Sequence, residues 1–113
     1  MATPATLNLT EVQGDDWAIT LVFQDADSYA VDLSTSTFLA SIRRGMTKNS
    51  PVEASFAIDD TNADTGVLIL ELPNADSSLL GRAAYYWDLQ ETDADDKVIT
   101  LIYGKITIIN DVT

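Results

Sequence analysis

Neither cysteine nor histidine occurs in the 113 residues. Without thiols there is no disulfide framework, no zinc ribbon and no thiolate nucleophile. Without imidazole, Ser-His and Cys-His mechanisms and His-ligated metals are excluded as well. Positive charge is scarce: 6 Lys and Arg stand against 18 Asp and Glu, for a net charge of −12. Nucleic-acid backbones and anionic membrane faces attract cationic clusters, so neither is an expected partner. No segment approaches the ~20 apolar residues of a membrane span. Residues 1–6 have no basic region and no apolar run behind them, so they read as a short ordered or fraying lead-in rather than a secretory signal. What is present is apolar mass. Hydrophobic residues make up 46% of the chain, enough for one continuous core, and 1–113 reads as one domain.

The dominant period is two. Trp17, Ile19, Leu21 and Phe23 alternate with Ala18, Thr20 and Val22, which describes a strand with one buried face. The same alternation marks Phe38-Ala40-Ile42, Phe56-Ile58, Leu68-Leu70-Leu72 and Tyr85-Trp87-Leu89. Leu7, Leu9 and Val12 suggest an earlier strand, closed by the turn residues Gln13 to Asp16. The run from Val98 to Ile109 is rich in β-branched residues, and Gly104 inside it predicts a bulge or bend. One segment departs from the pattern. Pro73 to Gly81 offers Asn74 or Asp76 as an N-cap and Gly81 as a stop, predicting a single helical turn with Leu79 or Leu80 plugging the core. About seven short strands separated by Gly, Asp, Asn and Ser clusters predict an all-β, antiparallel, immunoglobulin-like β-sandwich.

Asp60, Asn62 and Asp64 alternate as calcium-loop ligands do, and Glu71 falls at the twelfth position. Gly66, however, comes one residue late for such a loop, and Glu71 lies in a strand, so a solvated hairpin loop competes with a metal site. The other acidic groups, Asp15-Asp16, Asp25-Asp27 and Asp93 to Asp96, are expected at hydrated turn tips. No catalytic residue and no cofactor are expected. Arg43, Arg44 and Lys48 hold half the positive charge within six positions and are candidates for docking an acidic neighbour. Tyr29, Tyr86 and Tyr103 are candidate contact residues, since tyrosine is enriched at interfaces. Trp17 and Trp87 share phase with core positions and are expected inside, although exposed indoles would make a sugar-stacking platform. The Asn8-Leu9-Thr10 triplet matches a glycosylation acceptor and reads as chance.

The order of several pieces resembles a known group of proteins. Gly14-Asp15-Asp16-Trp17 is followed by Ile19, Leu21 and Phe23, then by Val31-Asp32-Leu33-Ser34 and Ile42-Arg43. After the helical turn come Tyr86-Trp87-Asp88-Leu89-Gln90, Leu101 to Ile106 and Asp111-Val112-Thr113. From about Leu7 onward this resembles the N-terminal domain of phage baseplate upper proteins and related small virion proteins. The turns Asp25 to Ala30 and Asp93 to Lys97 lack the glycine expected there. The resemblance implies a structural subunit of a phage particle, assembled in the host cytoplasm, in the tail or baseplate. It would contact other virion proteins and further copies of itself, with Lys105 to Ile109 as either a strand edge or interface open to pairing or a strand fully paired within the domain. A capsid decoration protein, a carbohydrate-binding module, a carboxylate-only hydrolase and an assembly factor are the alternatives.

Overall fold

The computed structural model describes residues 5–47, 49–81 and 83–109; Lys48, one of the residues singled out above, lies outside them. Eight strands account for most of the fold: β1 (Ala5–Thr6), β2 (Leu9–Val12), β3 (Trp17–Val22), β4 (Thr37–Arg43), β5 (Val52–Asp59), β6 (Val67–Leu72), β7 (Ala84–Thr92) and β8 (Val98–Ile109). A helical turn, α1 (Asn74–Ser77), joins β6 to β7, and a 3-10 turn at Ala63–Thr65 precedes β6. The chain is nearly all β.

The strands form one curled sheet in the order β1-β8-β7-β4-β5-β6-β3, with β2 also on β8. The curl is made by β5. Its first part pairs with β4 (Ala40 opposite Phe56, Ile42 opposite Ala54), and its last three residues pair with β6 (Ile58 opposite Leu70). Inward side chains from both halves meet at Trp17, Phe56 and Trp87. Phe56 stands edge-on to Trp87 at 6.0 Å between ring centroids and tilted to Trp17 at 6.5 Å. Leu68, Leu70 and Leu72, the cleanest alternation in the sequence, are fully buried. Truncating any one of them to alanine costs about 2–5 kcal/mol in such a core.

Four expectations are corrected. The sheet is not wholly antiparallel, because β1 and β2 run parallel to β8, with Ala5 opposite Ile102 and Leu9 opposite Ile106. Lys105 to Ile109 is therefore not an open edge. It lies between β7 and β2, and the Gln13 amide donates to the Ile109 carbonyl at 2.9 Å. The bulge in β8 is at Leu101 and not at Gly104: Leu89 faces Ile102 while Gln90 faces Thr100, which leaves Leu101 as the extra residue. Gly104 is in phase with the buried positions and is small for another reason. A Cβ there would come within 1.8 Å of the Leu7 carbonyl oxygen, which also accepts the Trp87 indole N–H at 3.0 Å. Finally, α1 begins after Pro73 with no cap from its own residues. The Asp16 carboxylate, from the turn before β3, accepts the Asn74 amide at 2.7 Å. Leu80 is the plug, while Leu79 is exposed.

Two acidic turns share one geometry. At Asp25 to Tyr29 the Asp25 carboxylate accepts the amides of Asp27 and Tyr29, and Ser28 takes φ 67°. At Asp93 to Lys97 the Asp93 carboxylate accepts the amides of Asp95 and Lys97, and Asp96 takes φ 61°. In both, the first and last residues also share a backbone bond of 2.9 Å. These are the two turns that lack the glycine expected from the resemblance. A leading aspartate organises the loop by accepting two amides, and a non-glycine residue carries the left-handed position.

Candidate functional site

The outward face of β4, β7 and β8 is built by register. Arg43 lies opposite Tyr86, and Tyr86 opposite Lys105, giving a row of three across the sheet. The next row runs Ser41, Asp88, Tyr103 and Thr6. The loop after β4 overhangs these rows with Gly45, Met46 and Thr47, and encloses a cleft of about 360 Å³. Thus Arg43, Tyr86 and Tyr103, three separate contact candidates, line a single concavity together with Asp88 and Lys105.

Its electrostatics run against those of the molecule. Two cations and one carboxylate line the cleft, in a protein of net charge −12. Arg43 Nη1 donates to Asp88 Oδ1 at 3.1 Å, which holds the guanidinium against the sheet. Its Nε is buried and has no acceptor among the described residues. The Lys105 side chain is exposed, and its backbone amide is held by the Asn8 side chain at 3.0 Å. Asn8, the head of the glycosylation-like triplet, is thereby a strut between the first and last strands.

The remaining candidates are elsewhere. Arg44 turns away and pairs with Glu53. Tyr29, 72% exposed, stands on the Asp25 turn. Asp60, Asn62 and Asp64 occupy the loop around the 3-10 turn, where Asn62 contributes its backbone carbonyl to Thr65 and Val67. Glu71 is on the exposed face of β6, and no three acidic side chains converge among the described residues. The loop is instead organised by Asp59, which accepts the Thr61 hydroxyl and amide, and these bonds hold its carboxyl below the usual range. Ser34 does the same for Asp32. Burial, with help from the Asp15 carboxylate, pushes Glu11 up. Both tryptophans are inside, 2% and 3% exposed, and their indole N–H groups donate to the Val12 and Leu7 carbonyls.

Two participants escaped the sequence reading. Lys105 was part of a strand-edge expectation, and only its register with Tyr86 shows it to be a cleft residue. Ser77 is fully buried, donates to the Asp15 carbonyl at 2.6 Å and accepts the Gly14 amide, tying α1 to the turn before β3. A lone serine in a polar run carries no local mark of that role.

No family model and no curated protein matches this sequence. Among solved structures, the chain is similar to CopC from Methylosinus trichosporium OB3b, with a TM-score of 0.51 and 12% identity over 99% of this chain and 89% of that one. The fold is immunoglobulin-like. A further similarity is to the filamin domain of Lin-41, with a TM-score of 0.47 and 11% identity over 88% and 82%. At such identities the likeness concerns the course of the chain and does not transfer a ligand or a site.

Proposed function

We propose that this chain is a non-enzymatic contact domain, a structural subunit of a phage particle in the tail or baseplate. In this reading the curled sheet is an immunoglobulin-like sandwich of seven strand positions, with β1 and β2 sharing one. The observation that carries the contact reading is the cleft, where Arg43, Tyr86, Tyr103 and Lys105 gather on one outward face. Two tyrosines supply rigid amphipathic surface, and two cations supply attraction for an acidic group. A carboxylate-bearing side chain of a neighbouring subunit suits this lining, and the acidic turn tips of further copies are one source of it. The virion assignment itself rests on the order of sequence pieces from Gly14 to Thr113. A sugar-stacking role is disfavoured, because neither indole is accessible.

The test has two arms. Mass spectrometry of purified particles is expected to find the chain at a fixed copy number, and its absence from particles overturns the virion reading. Lys105→Glu with Tyr103→Ala, both at exposed positions, is expected to leave the melting temperature within a few degrees of the parent and abolish incorporation. Normal incorporation by that variant overturns the cleft as the contact.

A further inference from the structure

The two edges of the curled sheet are guarded unequally. At one edge β2 has four residues and carries Glu11 among them. At the other, β3 has six, Trp-Ala-Ile-Thr-Leu-Val, and pairs among the described residues with β6 alone. Of the strands longer than two residues, β3 alone has no charged side chain. It holds no proline, and its register with β6 runs from Trp17 to Val22 without a bulge. Charge, proline, bulges and brevity are among the means by which edges are kept from pairing. β3 has none of them. Its outward side chains, Ala18, Thr20 and Val22, are small or β-branched and all exposed.

The surroundings of this edge specify the chemistry of what pairs with it. Asp15 and Asp16 precede β3, and Asp25 and Asp27 follow it closely. On the outward face beside its first residue, over β6 and on the paired side of β3, is a hollow lined by Asp16 and Glu71, with the small side chain of Ala57 at its far wall. A second copy laid antiparallel would bring its own Asp25 and Asp27 against Asp15 and Asp16, and a parallel copy would align like with like. Both arrangements repel. We infer that β3 is an acceptor edge for an extended segment of a different protein: about six residues of alternating β-branched character with a lysine or arginine at each end. Main-chain hydrogen bonds along Trp17–Val22 hold the segment, and a basic end lies beside Asp16, its side chain reaching over the small Ala18 toward Glu71. This edge is independent of the cleft, which lies on the β4-β7-β8 face.

The probe is the peptide Lys-Thr-Val-Thr-Val-Thr-Lys, titrated into isotope-labelled full-length protein. Amide exchange in β3 is expected to slow by about tenfold or more, with chemical-shift changes centred on β3, Asp16 and Glu71. The peptide with glutamate at both ends is expected not to bind. N-methylating alternate amides in one phase should abolish binding while the other phase leaves it intact, which only main-chain pairing predicts. Lys105→Glu, which reverses the charge of a cleft residue, should not alter the titration. Several results overturn the inference: no β3 protection at millimolar peptide, shifts centred on β2 or the cleft, equal binding by the glutamate peptide, or indifference to N-methylation. Protection of β3 that rises with protein concentration alone also overturns it, by assigning the edge to a second copy.

Discussion

Ser28 and Asp96 hold the left-handed position in two turns of the same design, and the cost of that conformation differs between them. Aspartate tolerates it better than serine, because its short carboxylate can bond locally. Ser28→Gly is expected to stabilise the fold by up to about 1 kcal/mol, after the greater entropy of glycine in the unfolded chain is deducted. Asp96→Gly should gain less, and urea titrations of the two variants check the order. Charged side chains give a second residue-scale expectation. The Asp59 carboxyl is lowered from 3.8, so its contribution is present above that value and lost as pH falls through the folded value. Glu11 is raised from 4.5, so its contribution is full below 4.5 and lost as pH rises through the folded value. Asp59→Ala should therefore lower the melting temperature at neutral pH and differ little from the parent in strong acid. Glu11→Gln should raise it at neutral pH and likewise converge with the parent in acid. Thermal melts across pH separate the two signs.

The elements that sequence period announced are those whose packing is local to one strand. β3, β6 and β7 alternate cleanly because each has one face against the core. Long-range placement leaves no such trace. Asn8 and Lys105 are 97 positions apart, and nothing in either neighbourhood signals that β2 runs beside β8. Gly104 was legible as an exception, but its cause is the Leu7 carbonyl and not a bend. Gly104→Ala is expected to cost about 3 kcal/mol or more, since backbone and not a flexible side chain stands in the way. Hydrogen exchange should then show the Leu7 amide, bonded at 2.9 Å to the Tyr103 carbonyl, losing protection with β2, while β4 and β7 keep theirs. A variant as stable as its parent would mean that the N-terminal strands do not depend on this close approach. The cleft was half legible: Arg43, Tyr86 and Tyr103 stood out by residue type, but only strand register brings them together.

For the molecule as a whole, the net charge of −12 is the largest unfavourable electrostatic feature, and the acids crowd at turn tips. Ion pairs offset little of it, since Arg43–Asp88 and Arg44–Glu53 are the two found among the described residues. Screening acts over about 10 Å at 0.1 M salt, so added sodium chloride relieves the repulsion before it weakens the close Arg43–Asp88 contact. The melting temperature should rise steadily from low to moderate salt; a fall would show that the few cations matter more than the many acids. The pairing of the first strands with β8 reaches further still. On the ribosome, β1 and β2 are made before the strand that pairs with them, so the segment around Leu7 and Leu9 waits unpaired while β3 to β7 are made. Closure of the sheet thus waits for β8, and a ribosome stalled before Ile102 would hold a nascent chain whose Trp87 indole still lacks its acceptor.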